Sequence, residues 1–127
     1  MKYRIKEVPN RNILCFQVTK KVSSNLLILI NSNKIPEVFK GQIPKDESDF
    51  LKRLSVALLA IPGVIELSFD QYEISVEKSD AFEWEDINFE VIAVIKRIFA
   101  KGAEMQELPR IICTEADRHH LELGDDF

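Results

Sequence analysis

Residues 46–78, DESDFLKRLSVALLAIPGVIELSFDQYEISVEK, constrain this fold more than any other stretch, because they encode three elements in succession. Phe50, Leu51, Leu54, Leu58 and Ile61 recur at the 3.6-residue period of a helix with one dry stripe. Pro62-Gly63 ends that helix. Two alternating runs, 64–69 and 72–78, then predict a hairpin closed by Asp70-Gln71. A two-residue loop pairs Phe69 with Tyr72, Leu67 with Ile74 and Ile65 with Val76, placing six apolar side chains on one face. Glu66, Ser68, Glu73, Ser75 and Glu77 fall on the other. A dry helix stripe and a dry hairpin face are each the natural cover for the other.

The rest of the chain is read outward from this unit. Residues 3–8 alternate and predict a strand near a sheet edge, given its lysines. Pro9-Asn10-Arg11-Asn12 is a turn. Residues 13–18 return, with Leu14, Phe16 and Val18 on one face and Cys15 on the other. The apolar run at 26–30, LLILI, suits a central strand buried on both faces or a short strand. Residues 31–45 read as a loop that Val38-Phe39 anchors. Asp80 and Glu83 have the form of a capping box that opens a second helix. In that helix Trp84, Ile87, Val91, Val94, Ile95 and Ile98 recur at helical spacing, and Trp84 is assigned to the core. Its acids lie at the start, its bases at the end, and Gly102 follows as a C-terminal cap. Beyond it, 108–114 is expected as an edge strand or an extended arm. The fold class is therefore α+β: a two-layer domain in which an antiparallel sheet of about five strands is covered by two helices, in the order β-β-β-α-β-β-α.

One domain at residues 1–102 and an acidic tail at 103–127, docked or disordered, fit the 127-residue length. Residues 1–102 hold 15 basic and 14 acidic side chains, whereas 103–127 hold 2 and 7. Such a tail argues against a nucleic-acid surface. No run is long enough to span a bilayer, and MKYRIKEV has no apolar signal core. Two distant cysteines, Cys15 and Cys113, suit a reducing cytoplasm.

Three segments resemble the N-terminal domain of Nfu-type (NifU-like) iron–sulfur cluster scaffold proteins. The first, residues 9–16 (PNRNILCF), is similar to the family's T-P-N-P-N-x-L-K-F. The second runs through 48–54 (SDFLKRL), 61–64 (IPGV) and 69–78 (FDQYEISVEK), similar to S-P-L-A-x-x-L-F, x-x-G-V and a hairpin ending F-I-T-V-x-K. The third, Trp84 with Ile87, is similar to W-x-x-L. The resemblance covers about residues 3–100, with a gap at roughly 20–45. Arg11 replaces the family's second proline and Cys15 its lysine. Full-length relatives hold the cluster with a C-x-x-C pair in another domain, and these 127 residues contain no C-x-x-C. Clusters need several thiolates, so the resemblance implies no cofactor held by this chain alone. It implies a non-enzymatic accessory module for iron–sulfur assembly or iron handling, whose protein partner is an iron–sulfur scaffold or carrier.

Two other readings stand beside it: an interaction domain serving an unrelated process, and weak metal binding by the tail. For the latter, the candidate ligands are Cys113, His119 and His120, with Glu115 and Asp117 nearby. Catalysis finds no nucleophile–base arrangement in the sequence, and the glycines form no phosphate loop. Candidate partner-binding residues are the turn Pro9, Asn10, Arg11 and Asn12. The acids Glu66, Glu73 and Glu77 form a second candidate, a docking face for a basic partner if it is wet.

Overall fold

The computed structural model describes residues 1–23, 27–29 and 45–113, and the side chains of 27–29, 45, 46 and 48 are outside that description. Val38-Phe39, His119, His120, Glu115 and Asp117 also lie outside the described residues.

Alternation in the first eighteen residues builds the opening hairpin. Strand β1 (Lys2–Glu7) pairs antiparallel with β2 (Ile13–Val18), Ile5 opposite Phe16. Strand β3 (Leu27–Leu29) pairs antiparallel with β4 (Val64–Asp70), and β4 with β5 (Glu73–Lys78). Of the two readings of LLILI, the short strand holds: β3 ends the strand order β3-β4-β5-β2-β1-β6. Helix α1 (Lys45–Leu59) buries Leu51, Leu54 and Leu58 completely against the sheet. Helix α2 (Trp84–Val94) buries Ile87, Val91 and Val94. Both helices cover the face that carries Leu14, Phe16, Leu67, Phe69, Ile74 and Val76. The α+β class and the two-layer architecture are as the sequence predicts.

The register of the central hairpin differs from expectation. Phe69 pairs with Ile74 and Leu67 with Val76, two residues away from the predicted pairing. Asp70 joins the ladder opposite Glu73, and the turn is Gln71-Tyr72. The Gln71 amide donates to Asp70 Oδ1 at 2.8 Å, and Val18 and Val22 amides donate to the Tyr72 and Gln71 carbonyls. A slide of two preserves side-chain parity, so the four core residues stay dry. Tyr72, predicted opposite Phe69, sits half-buried in the turn instead, and Ile65 leaves the dry face. The ladder shifts between Val64 and Glu66, a bulge that turns Val64 inward (8% exposed) and leaves Ile65 46% exposed.

Two further local readings are corrected. The capping box at α2 is formed by Glu83 and Asp86, not Asp80 and Glu83. Ser79 supplies the reason: its Oγ accepts from the Ala81 amide and its carbonyl from Phe82, so a turn precedes the helix. A π-helical turn (Ile95–Phe99) then extends α2 and inserts a residue. The apolar stripe therefore passes from Ile95 to Phe99, with Ile98 only partly buried. Phe99 meets Phe50 of α1 at 5.6 Å between ring centroids.

After Gly102 the chain returns to β1. Segments β6 (Gln106–Glu107) and β7 (Ile111–Ile112) both pair parallel with it. Amides of Gln106, Leu108 and Cys113 donate to the carbonyls of Met1, Tyr3 and Glu7. Residues 103–113 thus continue the sheet, adding two short parallel pieces to five antiparallel strands. They cover the β1 edge, whose carbonyls would otherwise be left unpaired.

Gly63 locks α1, β4 and the approach to α2 together. Its φ of +95° is left-handed, and its carbonyl accepts from the Ser79 amide at 2.8 Å. A Cβ there would lie 2.6 Å from Phe82 Cγ and 3.0 Å from Ile87 Cδ1. Gly63→Ala is expected to lower the unfolding free energy by about 1–2 kcal/mol in urea denaturation, from backbone strain plus the displaced Phe82 ring.

Candidate functional site

The turn between β1 and β2 is built by its own side chains and then tied to the end of the neighbouring strand β5 and the segment that follows it. Asn10 Oδ1 accepts from the Asn12 amide at 2.9 Å, an Asx turn, and the Ile13 amide donates to the Asn10 carbonyl. Pro9, Asn10 and Arg11 are exposed. Asn12 is half-buried and carries the connections. Its carbonyl accepts from the Lys78 amide at 2.8 Å, its Oδ1 from Lys78 Nζ at 3.0 Å, and its Nδ2 donates to Asp80 Oδ1 at 2.6 Å. Trp84 Nε1 donates to the Arg11 carbonyl at 2.9 Å.

Lys78 is only 6% exposed. Its ammonium lies 5.9 Å from the centre of the Trp84 ring, within reach of a cation–π attraction. The Ser79 carbonyl, at 3.5 Å, is its other acceptor. Arg11, Asn12, Lys78, Asp80, Glu83 and Trp84 surround a cleft of about 280 Å³. Both charge signs and an aromatic wall meet there, which suits a polypeptide segment of mixed character. The four turn residues stand together as the sequence predicts. Lys78 and Asp80 are site residues that sequence reasoning does not single out. The signal is the lysine ending the last hairpin strand, whose partner is 66 residues away. Trp84 packs partly against the core, and its indole nitrogen faces the turn.

The acidic candidates do not form one patch. They lie on the sheet face opposite the helices, where β1, β2 and β5 build a polar network. Lys6 Nζ meets Glu73 Oε1 at 2.7 Å, with side-chain exposures of 9% and 23%. Gln17 Nε2 donates to the same carboxylate at 3.0 Å, and the Gln17 Oε1 accepts from Arg4 Nε at 3.0 Å. Ser75 Oγ reaches Glu73 Oε2 at 3.4 Å and Cys15 Sγ at 3.3 Å. Glu73 is thus committed inside the protein. Glu66 and Glu77 remain half-buried and directly opposed across the β4–β5 ladder. Burial first, and then the Glu77 charge, raises the Glu66 carboxyl above its ordinary value.

A raised carboxyl binds its proton more tightly in the folded state, so ionised Glu66 weakens the fold once the pH exceeds the unfolded carboxyl's value. Glu66→Gln is therefore expected to stabilise the protein by about 0.5 kcal/mol at neutral pH. The gain should vanish at pH values where the wild-type carboxyl is protonated, as read from urea midpoints in the two conditions.

The thiols are free but buried. Cys15 is 4% exposed and its thiol is pushed up to about 11, by burial first and then by the Glu73 charge. That holds it in the neutral form, which is neither a good nucleophile nor a metal ligand. Cys113 is 2% exposed, its amide bonded to Glu7. Among the described residues no three metal-ligating side chains cluster, and no helix is long and apolar enough to cross a membrane.

Comparison with known proteins follows the same lines. The family model described as scaffold protein Nfu/NifU N terminal matches residues 3–102. Protein SAV1430 from Staphylococcus aureus, known from a crystal structure, is similar in fold. It is 21% identical with a TM-score of 0.53, and the match covers 75% of this chain and 99% of that one. A NifU-like protein from Saccharomyces cerevisiae, solved by NMR, is 18% identical with a TM-score of 0.48, covering 76% of each chain. Comparison with curated proteins gives no match.

Proposed function

The chain belongs to the Nfu/NifU N-terminal scaffold family, and from that premise we propose that it is a non-enzymatic accessory module of iron–sulfur cluster assembly in the cytoplasm. It acts by contacting a protein partner whose own cysteines hold the cluster or the iron. The observation that carries this reading is a convergence. The turn Pro9–Asn12, Lys78 at the end of β5, and Trp84 at the start of α2 come from separate stretches of the resemblance, and they meet around one cleft. Core packing gives no reason for an exposed arginine and an asparagine to be held there by an indole, an ammonium and a carboxylate. A preorganised turn lowers the ordering cost of binding, which is what a docking loop requires.

The thiol chemistry supports a partner-held cluster. Cluster ligands are accessible thiolates, whereas Cys15 is neutral and enclosed by Ser75 and Glu73. The partner must therefore bring the thiolates, and this domain brings a surface. The network around Glu73 rigidifies the sheet that carries that surface.

Calorimetric titration against an iron–sulfur scaffold, apo and cluster-loaded, tests the proposal. Binding with a Kd below about 50 µM is expected, weakened about tenfold or more by the paired change Arg11→Ala and Asn12→Ala. Heats equal to dilution with both forms of the scaffold overturn it.

A further inference from the structure

Away from the cleft, the outer face of α2 carries features that the proposed function does not use. Phe89 is 85% exposed, the most exposed large apolar side chain among the described residues. Glu85, Asp86, Glu90 and Ala93 are exposed on the same helix, and Lys96 and Arg97 continue that surface onto the π-helical turn. Beside the helix runs a groove of about 300 Å³, whose walls include Ala57 of α1, Ala60 just after it, Glu90 and Ala93 of α2, and Arg97 of the π-helical turn. Ile61, Pro62 and Val94 complete the lining, and the three alanines among these apolar side chains leave room for an aromatic ring. One helix thus presents an exposed ring, a shallow groove, an acidic half and a basic half.

We infer that the partner for this face is a second copy of the chain, packed antiparallel along α2 about a twofold axis at Ala93. The charge order selects this occupant. Turned end over end, the helix brings its acidic half against the basic half of its twin. Glu90 then lies opposite Lys96 of the second copy and Phe89 opposite Arg97. Each Phe89 ring comes over the groove that Ala57, Ala60 and Ala93 line on the other copy. Both knobs and both grooves are used, as an isologous contact requires. A parallel packing would set acid against acid. Such a contact is small, so a reversible dimer forms at high micromolar concentration rather than a permanent one. The cleft by Trp84 remains free for the partner of the proposed function, so either proposal can fail without the other.

Sedimentation equilibrium across roughly 10–500 µM protein tests the arrangement. The mean mass should rise toward twice the monomer value, and Phe89→Ala should weaken association about tenfold. Glu90→Lys and Lys96→Glu should each weaken it, and the double exchange should restore it, because the exchanged pair is again complementary. Circular dichroism melts of each variant separate lost association from lost folding, and Phe89→Gln supplies a second probe of the exposed ring. A wild-type protein that stays monomeric throughout overturns the inference. A dimer indifferent to Phe89 and to the charge exchange overturns it equally.

Discussion

Glu73→Ala lowers the unfolding free energy by about 3 kcal/mol, the largest loss expected from any single polar side chain here. The reason lies in what is left behind. Lys6 keeps its ammonium at 9% side-chain exposure with its carboxylate gone, and Gln17 Nε2 and Ser75 Oγ lose an acceptor in the same stroke. A buried charge without its partner costs far more than the pair contributes when intact. The matching double change, Lys6→Met with Glu73→Ala, removes the orphaned charge and is expected to recover most of that loss, leaving about 1 kcal/mol for the unmet Gln17 and Ser75 donors. Urea unfolding of the two singles and the double forms the cycle. A Glu73→Ala variant as stable as wild type would show that the network is only a surface arrangement.

Trp84→Ala is the second large effect, with about 2–3 kcal/mol expected. The ring covers part of the core, and its indole N–H is the bond that holds the Arg11 carbonyl. Trp84→Phe keeps most of the packing and removes that bond, so it should cost about 1 kcal/mol. Trp84→Phe further isolates the functional role. Because the fold survives it, weaker scaffold binding by this variant reports on the posture of residues 9–12 rather than on unfolding. Amide exchange at Asn10–Asn12 should quicken in both variants, since the turn loses its tether to α2.

Much of the architecture is legible in the residues, because parity and period are strong signals. Leu67, Phe69, Ile74 and Val76 sit in the core although the hairpin slides by two, since an even slide cannot change the face a side chain takes. Ile65 is misplaced because a bulge is a choice of the ladder, not of one strand's pattern. The π-helical turn escapes notice for a similar reason: Ile98 and Phe99 are both apolar, so either satisfies a helical period. The short parallel pieces at 106–107 and 111–112 interrupt each other at Pro109, and two-residue pairings leave no periodicity to read.

The candidate site is less legible. The turn Pro9–Asn12 is visible from composition alone, but its braces are distant in sequence. Asn12 and Lys78 meet across 66 residues, Asn12 and Asp80 across 68, and Arg11 and Trp84 across 73. The family pattern gathers Asn12, Lys78 and Trp84, though not Asp80, and it does so without saying why. The acids Glu66, Glu73 and Glu77 look equivalent in sequence because they alternate on one predicted face of the hairpin. Their neighbours on β1 and β2 separate them: Lys6 and Gln17 claim Glu73, while Glu66 and Glu77 face each other.

The most direct measurement is a titration of isotope-labelled protein with a cluster-carrying iron–sulfur scaffold, followed by NMR. The indole N–H of Trp84 and the amides of Asn10, Arg11, Asn12 and Lys78 are expected to shift together at scaffold concentrations of about 50 µM, with Phe89 and the outer face of α2 unmoved. Shifts confined to other surfaces, or none with either the apo or the loaded scaffold, would contradict the assignment of the cleft as the docking site.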